Sequence, residues 1–138
     1  MQTVIVDTDI AIDYLRGLQY AKELMLSLWD TNIAYLSILS VYELYAGMKD
    51  NELIDTENFI KACTVEPLTL DITKKAGALY KTYRMQGLTL TSIDCLINAT
   101  AIVRRHKIAT KNTSHYPDRK ILFSMDSFKG HTEKHTRN

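Results

Sequence analysis

The apolar positions of this chain fall into short uninterrupted runs, which are separated by longer stretches with helical spacing. Residues 3–6 form a β-branched run that ends at Asp7, a pattern typical of a strand buried on both faces of a parallel sheet. Runs that predict further strands lie at 32–37 (NIAYLS), 64–68, 107–110 (KIAT) and 120–124 (KILFS). We therefore expect several strands to share one sheet.

Between these runs, apolar residues recur every three to four positions, as they do on the buried face of a helix. One such stripe ends at Gly17, and a second extends to about Trp29. Ser40 is expected to cap a third helix that closes at Gly47, because serine accepts a hydrogen bond from the first helical turn and glycine commonly ends a helix.

Two longer helices are predicted in the second half of the chain. Asp71 is expected to cap a helix that stops at Gly87. Thr91 or Ser92 is expected to cap the next helix, which extends to about Arg105 and is apolar enough to imply deep burial. Alternation of strands and helices predicts the α/β class, with a parallel sheet connected by right-handed crossovers.

The length and composition of the chain favour one compact domain. Its 138 residues, 46% of them hydrophobic and 24% charged, show no shift in composition that would mark a linker. We expect the domain to span residues 1–130 and residues 131–138 to form a polar, mobile tail. Within that tail, His131 and His135 have the spacing of a helical metal pair, which we interpret as chance.

Cysteines and apolar runs indicate the cellular compartment that the chain suits. Cys63 and Cys95 lie far apart in apolar surroundings, which favours buried reduced thiols. The chain has no basic start followed by an apolar run, and none of its apolar stretches approaches the roughly 20 residues that span a bilayer. We expect a soluble, cytoplasmic protein without a membrane partner.

The net charge of +1 conceals two oppositely charged parts. Residues 104–138 carry a net charge of +6, and residues 1–103 carry −5. An acidic part can hold cations while a basic part attracts a polyanion, a combination that suits a nuclease better than an enzyme of small metabolites. A basic, solvated end of the chain without a ligand is the alternative.

Four acidic residues stand at the ends of predicted strands or in the first turns of predicted helices: Asp7, Asp9, Glu43 and Asp94. Each has an ordinary structural explanation when it is considered alone, since an acid there caps a helix, favours its dipole or is simply solvated. Considered together, three of them begin helices at the same edge of the sheet. Carboxylates that gather in a packed domain repel one another unless a divalent cation offsets their charge, so the set predicts a metal site.

The segment after the run KIAT belongs to the same edge of the sheet. Thr110 and Asn112 are expected to orient a water molecule bound at the metal site, whereas His115 is interpreted as a plain loop residue rather than a phosphate contact. Ligands bind at the carboxyl ends of parallel strands in open α/β sheets, which is where these residues are expected to lie.

Four blocks of the chain, in the order in which they occur, resemble the PIN-domain family and, more narrowly, its VapC-type toxins. The blocks are VDTDIAIDYLRG, SVYELYAG, SIDCLINATA and IATKNTSHY, and they span nearly the whole chain. The resemblance implies a PIN-like α/β/α sandwich with a central, mostly parallel sheet. It also implies that Asp7, Glu43 and Asp94 bind magnesium or manganese, with Thr8 or Asp9 supporting them.

Two positions depart from the family pattern. Asp9 stands where the family commonly has a small serine or asparagine, and Asn112 stands where a fourth acid is common. Asparagine coordinates as a neutral ligand and adds no charge. The acid count therefore stays at four, with one acid moved along the sequence.

The resemblance implies a metal-dependent endoribonuclease whose cation activates water for in-line attack on an RNA phosphodiester. It also implies a homodimer and an antitoxin whose helical segment covers the cleft. Tyr116 would offer a stacking surface for a base. The candidates for holding the RNA backbone are Arg104, Arg105, Lys107, Lys111 and Lys120.

Two other functions remain open from the residues. VIVDTD resembles the strand and D-x-D of phosphatases with an aspartyl nucleophile, although Ile10 and Ala11 stand where that class expects a small polar residue. A PIN-like module that binds RNA or protein without cleaving is the second alternative, and Asn112 favours it.

Overall fold

In the computed structural model, which describes residues 1–128, four short parallel strands form a sheet between two layers of helices. The strands are β1 (Val4–Val6), β2 (Ala34–Ser37), β3 (Thr64–Glu66) and β4 (Lys107–Ala109), in the spatial order β3-β2-β1-β4. The helices are α1 (Thr8–Leu15), α2 (Gln19–Asp30), α3 (Ile38–Gly47), α4 (Leu53–Ala62), α5 (Leu70–Met85) and α6 (Ser92–Arg104). Short 3₁₀ helices lie at Asp50–Glu52, Thr113–His115 and Arg119–Ile121.

Strand β1 separates the two halves of the core. Val4 and Val6 pack on one face against the layer that contains α1 and α2, whereas Ile5 packs on the other face against α6. Alternate residues of a strand point to opposite faces, so a run of three apolar residues can serve both layers. The run predicted from the sequence is thus a strand buried on both sides, and the α/β/α sandwich is confirmed.

The register of the sheet places the ends of the two central strands side by side. Val4 pairs with Lys107 at the start of β1 and β4, and Val6 pairs with Ala109 at their ends. Asp7 and Thr110 therefore follow their strands at the same edge, and the Asp7 N–H donates to the Ala109 carbonyl at 2.9 Å. We call this side the carboxyl edge of the sheet.

Two predicted helix caps are wrong. Strand β2 passes into α3 without a loop, so Ser37 rather than Ser40 is the cap, and its Oγ accepts the Leu39 N–H at 3.0 Å. Helix α5 begins before Asp71, and Thr69 Oγ1 accepts the Ile72 N–H at 3.2 Å. The cap by Thr91, one of the two predicted for α6, is confirmed by its bond from the Asp94 N–H at 3.1 Å.

The last predicted strand, at 120–124, does not form as a strand. Residues 119–121 turn as a 3₁₀ helix, and Leu122 makes an isolated parallel bridge to Ile108. Cys63 and Cys95 are both buried and free, as predicted. None of the described helices is long and apolar enough to cross a membrane. The predicted tail and its histidines at 131 and 135 lie outside the described residues, as does the domain boundary predicted at residue 130.

Candidate functional site

Asp7 lies at the carboxyl edge of the sheet and is 7% exposed. It caps α1 through its Oδ1, which accepts the Thr8 N–H at 2.8 Å, so the capping role predicted for it is real. Its other oxygen, Oδ2, accepts the hydroxyl of Thr110 at 2.8 Å. Each carboxylate oxygen can accept a second bond, so capping leaves Asp7 able to bind a cation.

Asp9 lies beside Asn112. Its Oδ2 accepts the Asn112 side-chain amide at 3.1 Å and the Lys111 backbone N–H at 3.0 Å, and its Oδ1 accepts the Ile10 N–H at 2.7 Å. Asp9 therefore places a carboxylate directly beside the side chain of Asn112. The two departures from the family pattern are spatial neighbours, which the sequence separates by more than a hundred residues.

Thr8 connects α1 with α3. Its hydroxyl lies 2.8 Å from the Ser40 hydroxyl and 2.7 Å from Oε1 of Glu43. Ser40, which the sequence suggested as a cap, is fully buried and positions Thr8 instead. The Thr8 hydroxyl is therefore placed to hold the Glu43 carboxylate toward α1.

Asp94 reaches the same cleft from the first turn of α6. Its Oδ2 lies 3.4 Å from Nδ1 of the half-exposed His115, so the loop histidine is a neighbour of the acid rather than remote from it. A cavity of about 400 Å³ brings the predicted residues together. Its lining includes Asp7, Thr8, Asp9, Ile12, Glu43, Thr91, Asp94, Asn112 and His115.

Asp7 and Asp9 lie in an electrostatic environment that disfavours their charged forms. Burial raises the pKa of Asp7, the charge of Asp94 raises it further, and the hydrogen bond from Thr110 opposes the shift. Burial and the charge of Asp7 raise the pKa of Asp9 to about 6, while Lys111 opposes that shift. Desolvated carboxylates that repel one another would gain from a nearby cation.

The donor set suits a hard divalent cation, since carboxylate and amide oxygens are the ligands that magnesium and manganese prefer. As they stand, however, no three Asp, Glu, His or Cys side chains among residues 1–128 are arranged to hold a metal ion. Glu43 is turned toward Thr8, and Asp94 faces His115. The residues fit the cation in chemistry and location, and the side chains would have to close around it.

The structure adds a residue that sequence reasoning missed. Asp13 is 4% exposed, although it is charged, and its Oδ2 accepts the Tyr20 hydroxyl and lies 2.5 Å from Nζ of Lys111. The ammonium group also lies 5.8 Å from the centre of the Tyr20 ring. Lys111 therefore joins the buried Asp13 to Asp9, one through its side chain and the other through its backbone. In the sequence, the position of Asp13 one helical turn after Asp9 was the signal that could have identified this residue.

Four of the five residues expected to hold RNA lie away from the carboxylates. Arg104 and Arg105 lie at the end of α6, about 15 Å along the helix axis from Asp94 in its first turn. Lys107 begins β4 and donates to the Lys120 carbonyl, which places both at the opposite edge of the sheet. Arg104 is also engaged by Glu66, 3.6 Å away. Of the five, Lys111 adjoins the cleft.

The expectation that Tyr116 offers a stacking surface is wrong. Its side chain is 0% exposed and packs with Ile5, Ile97, Ala101 and Ile108 between the sheet and α6. The short 3₁₀ helix at Thr113–His115 turns the chain inward, which the sequence pattern of a polar loop did not indicate.

A comparison with known proteins supports the same family. The model of the PIN domain matches residues 4–117. Ribonuclease VapC19 of Mycobacterium tuberculosis is 36% identical over 114 residues, which cover 82% of this chain and 91% of that protein. Ribonuclease VapC10 of the same species is 32% identical over 114 residues, which cover 83% and 86%.

Solved structures share the fold at lower sequence identity. A toxin–antitoxin complex from Klebsiella pneumoniae contains a chain that is 22% identical, with a TM-score of 0.76, and the match covers 89% of this chain and 98% of that one. DNA-bound VapBC from Salmonella typhimurium contains a chain that is 18% identical, also with a TM-score of 0.76, over 88% and 96% of the two chains.

Proposed function

Because the chain belongs to the PIN-domain family and is of its VapC type, we propose that it is a divalent-metal-dependent endoribonuclease that hydrolyses RNA phosphodiesters. We further propose that it is the toxin of a type II toxin–antitoxin pair. The observation that carries the proposal is the meeting of Asp7, Asp9, Glu43 and Asp94 around one cleft, from three distant segments of the chain. The name ribonuclease, borne by relatives that are aligned over most of their length, supports RNA as the substrate.

Asp7, Glu43 and Asp94 would hold magnesium or manganese. When bound, the cation would lower the pKa of a water molecule and offset charge on the phosphate. The protein itself positions the acids. Thr110 orients Asp7 and Thr8 orients Glu43, each through a hydrogen bond shorter than 3 Å.

Asp9 and its neighbours have a supporting role in this proposal. Asn112 and the Lys111 backbone both donate to Asp9, so the loop after β4 is fixed against α1. No side chain has to act as a nucleophile, because the attacking group is water. Among the five basic candidates, Lys111 is best placed to approach a phosphate, although its ammonium group already forms an ion pair with Asp13.

An antitoxin and a second copy of the chain are the proposed protein partners. Apolar side chains near the cleft support a protein partner there, because Ile12 lines the cleft and is 37% exposed, and Tyr42 in α3 is 65% exposed. Complexes of toxin and antitoxin are among the solved structures that share the fold. Size-exclusion chromatography of the chain, alone and with the product of a neighbouring gene, tests both partners.

Metal binding is tested by comparing Asp94→Asn with Asp71→Asn. Both acids lie in the first turn of a helix, but Asp71 is exposed at the start of α5 and does not line the cleft. If Asp94 only favoured the helix dipole, both substitutions would cost on the order of 0.3–1 kcal/mol and keep any stabilisation by manganese. If Asp94 is a ligand, Asp94→Asn should lose most of that stabilisation while Asp71→Asn keeps it. An undiminished manganese shift in Asp94→Asn would contradict the metal site.

Toxicity is tested in a bacterial host that expresses the chain without an antitoxin. Wild type should arrest growth, because an unrestrained ribonuclease depletes RNA, and Asp7→Asn should relieve the arrest. Equal toxicity of the two proteins at equal abundance would argue against cleavage as its cause.

A second candidate function is a PIN-like module that binds RNA without cleaving it. It is favoured by the absence, among residues 1–128, of three acids already arranged around a metal. Titration with manganese separates the two functions, since a module that only binds should show no metal-dependent cleavage. The phosphatase alternative loses its support, because the PIN family accounts for the acidic residues of VIVDTD.

A further inference from the structure

Tyr116 presents an unusual polar group in the apolar layer between the sheet and α6. Its ring is 0% exposed, and its buried hydroxyl completes no hydrogen bond of ordinary geometry within residues 1–128, although it lies close enough to Asp7 to lower the pKa of that acid. A buried tyrosine hydroxyl normally finds a partner, because an unpaired one loses its bonds to water without compensation. Phenylalanine would fill the same space without that cost.

The packing of the ring shows where the hydroxyl lies. Tyr116 belongs to the same buried cluster as Ile5 in β1 and Ile108 in β4. Since alternate residues share a face of a sheet, the next residues on that face are Asp7 and Thr110. The ring therefore packs on the face of the sheet that also carries Asp7 and Thr110, whose side chains are hydrogen-bonded at 2.8 Å.

Helix α6, which packs on the other side of the Tyr116 ring from the sheet, also brings an acid of the cleft near this residue. Tyr116 packs against Ile97, and Asp94 lies one turn earlier on the same face of the helix. The preceding residue, His115, is 3.4 Å from the Asp94 carboxylate. The carboxylates are close enough to act on the phenol electrostatically, because burial raises the pKa of Tyr116, and the charges of Asp7 and Asp94 and the interaction of the hydroxyl with Asp7 raise it further. The hydroxyl of a tyrosine can donate a hydrogen bond to such a carboxylate.

We propose that Tyr116 is a positioning residue for the carboxylate cleft, whose hydroxyl donates to Asp7 from below when the cleft closes around a divalent cation. The inference rests on the proposed metal site. Asp7 has the capacity for this bond, because Thr8 and Thr110 occupy one acceptor position on each of its oxygens. A donor from beneath fixes the carboxylate plane and directs the remaining lone pairs into the cleft, as outer hydrogen bonds do at metal sites.

The test is Tyr116→Phe, with Tyr83→Phe as the matched control. Tyr83 is 8% exposed and also lies beside α6, but its hydroxyl faces Asn98 instead of the carboxylates. Thermal unfolding is measured in chelator and across a manganese titration, and cleavage of RNA is measured over the same titration. In chelator, Tyr116→Phe should unfold at the wild-type temperature or above it, because the buried hydroxyl that it removes completes no hydrogen bond of ordinary geometry.

With manganese, Tyr116→Phe should need roughly 10–100-fold more metal for half-maximal stabilisation and half-maximal cleavage, the usual range for loss of an outer hydrogen bond. Tyr83→Phe should keep the wild-type manganese dependence. A wild-type manganese dependence in Tyr116→Phe would overturn the inference, and so would a marked loss of stability in chelator, which would show a purely structural bond.

The same experiment separates this inference from the proposed function through Asp7→Asn. If manganese stabilises the wild type but not Asp7→Asn, the metal site stands and Tyr116→Phe decides the inference by itself. If manganese fails to stabilise even the wild type, the proposed metal site fails and the inference falls with it.

Discussion

Replacing Asp9 by asparagine should change how the stability of the metal-free protein depends on pH. Burial and the charge of Asp7 raise the pKa of Asp9 to about 6, from 3.8 for the unperturbed acid. The folded state therefore binds a proton at Asp9 more tightly than the unfolded state does. Stability from this group is fully present below pH 4 and is lost as the pH rises through 6, because the folded protein must then hold a desolvated charge.

The size of the effect follows from the shift. A difference of about two pH units between the folded and unfolded pKa corresponds to about 3 kcal/mol of unfolding free energy. The asparagine side chain has no titrating group, so relative to wild type the Asp9→Asn variant should gain about that amount between pH 4 and pH 7.5. The variant also disturbs hydrogen bonds from Lys111 and Asn112, but that cost is the same at both pH values.

Urea denaturation in chelator at several pH values measures the effect. Asp30→Asn is the matched control, since Asp30 is exposed at the end of α2 and the substitution removes one carboxylate away from the cleft. The control should follow the pH dependence of wild type. A free-energy difference between wild type and Asp9→Asn that does not change with pH would refute the reasoning about the buried acids.

Three other substitutions test further parts of the structure. Lys111→Met should lower the unfolding free energy by about 1–3 kcal/mol in urea denaturation, because the buried Asp13 carboxylate then keeps only its hydrogen bond from the Tyr20 hydroxyl. The control is Lys81→Met, at an exposed lysine, and equal stabilities of the two variants would contradict the pairing of Lys111 with Asp13. Thr8→Val should lower the unfolding free energy by about 1 kcal/mol and weaken stabilisation by manganese, since Glu43 loses the hydroxyl that orients it. Thr31→Val is the control, and an unaltered stabilisation of Thr8→Val by manganese would show that Thr8 does not support the site. Arg104→Ala combined with Arg105→Ala should leave binding of a short oligonucleotide in the cleft unchanged. For a long RNA, the same change should reduce the slope of the logarithm of the binding constant against the logarithm of salt concentration by roughly 0.7 per lost phosphate contact. Weaker binding of the short oligonucleotide would contradict the separation of these arginines from the cleft.

The helix boundaries show how far local sequence signals extend. Periodicity predicted every helix that surrounds the cleft, but the caps at Ser40 and Asp71 were wrong by two or three residues in favour of Ser37 and Thr69. Several polar residues near a helix start can each accept the same backbone hydrogen bond. The direction of the incoming chain decides among them, and that direction depends on how β2 enters α3.

The sequence by itself determined the class of fold and predicted that Asp7, Glu43 and Asp94 meet at one edge of the sheet. These follow from hydrophobic periodicity and from the rule that parallel strands end together, which are local properties of the chain. Tertiary structure alone decided that Asn112 meets Asp9, that Lys111 joins a buried Asp13, and that Tyr116 is enclosed beneath Asp7. It also separated Arg104 and Lys107 from the cleft, although Lys107 is only three residues from Thr110. A strand carries successive residues from one edge of the sheet to the other, so neighbours in sequence can belong to opposite poles of the molecule while distant segments share one site.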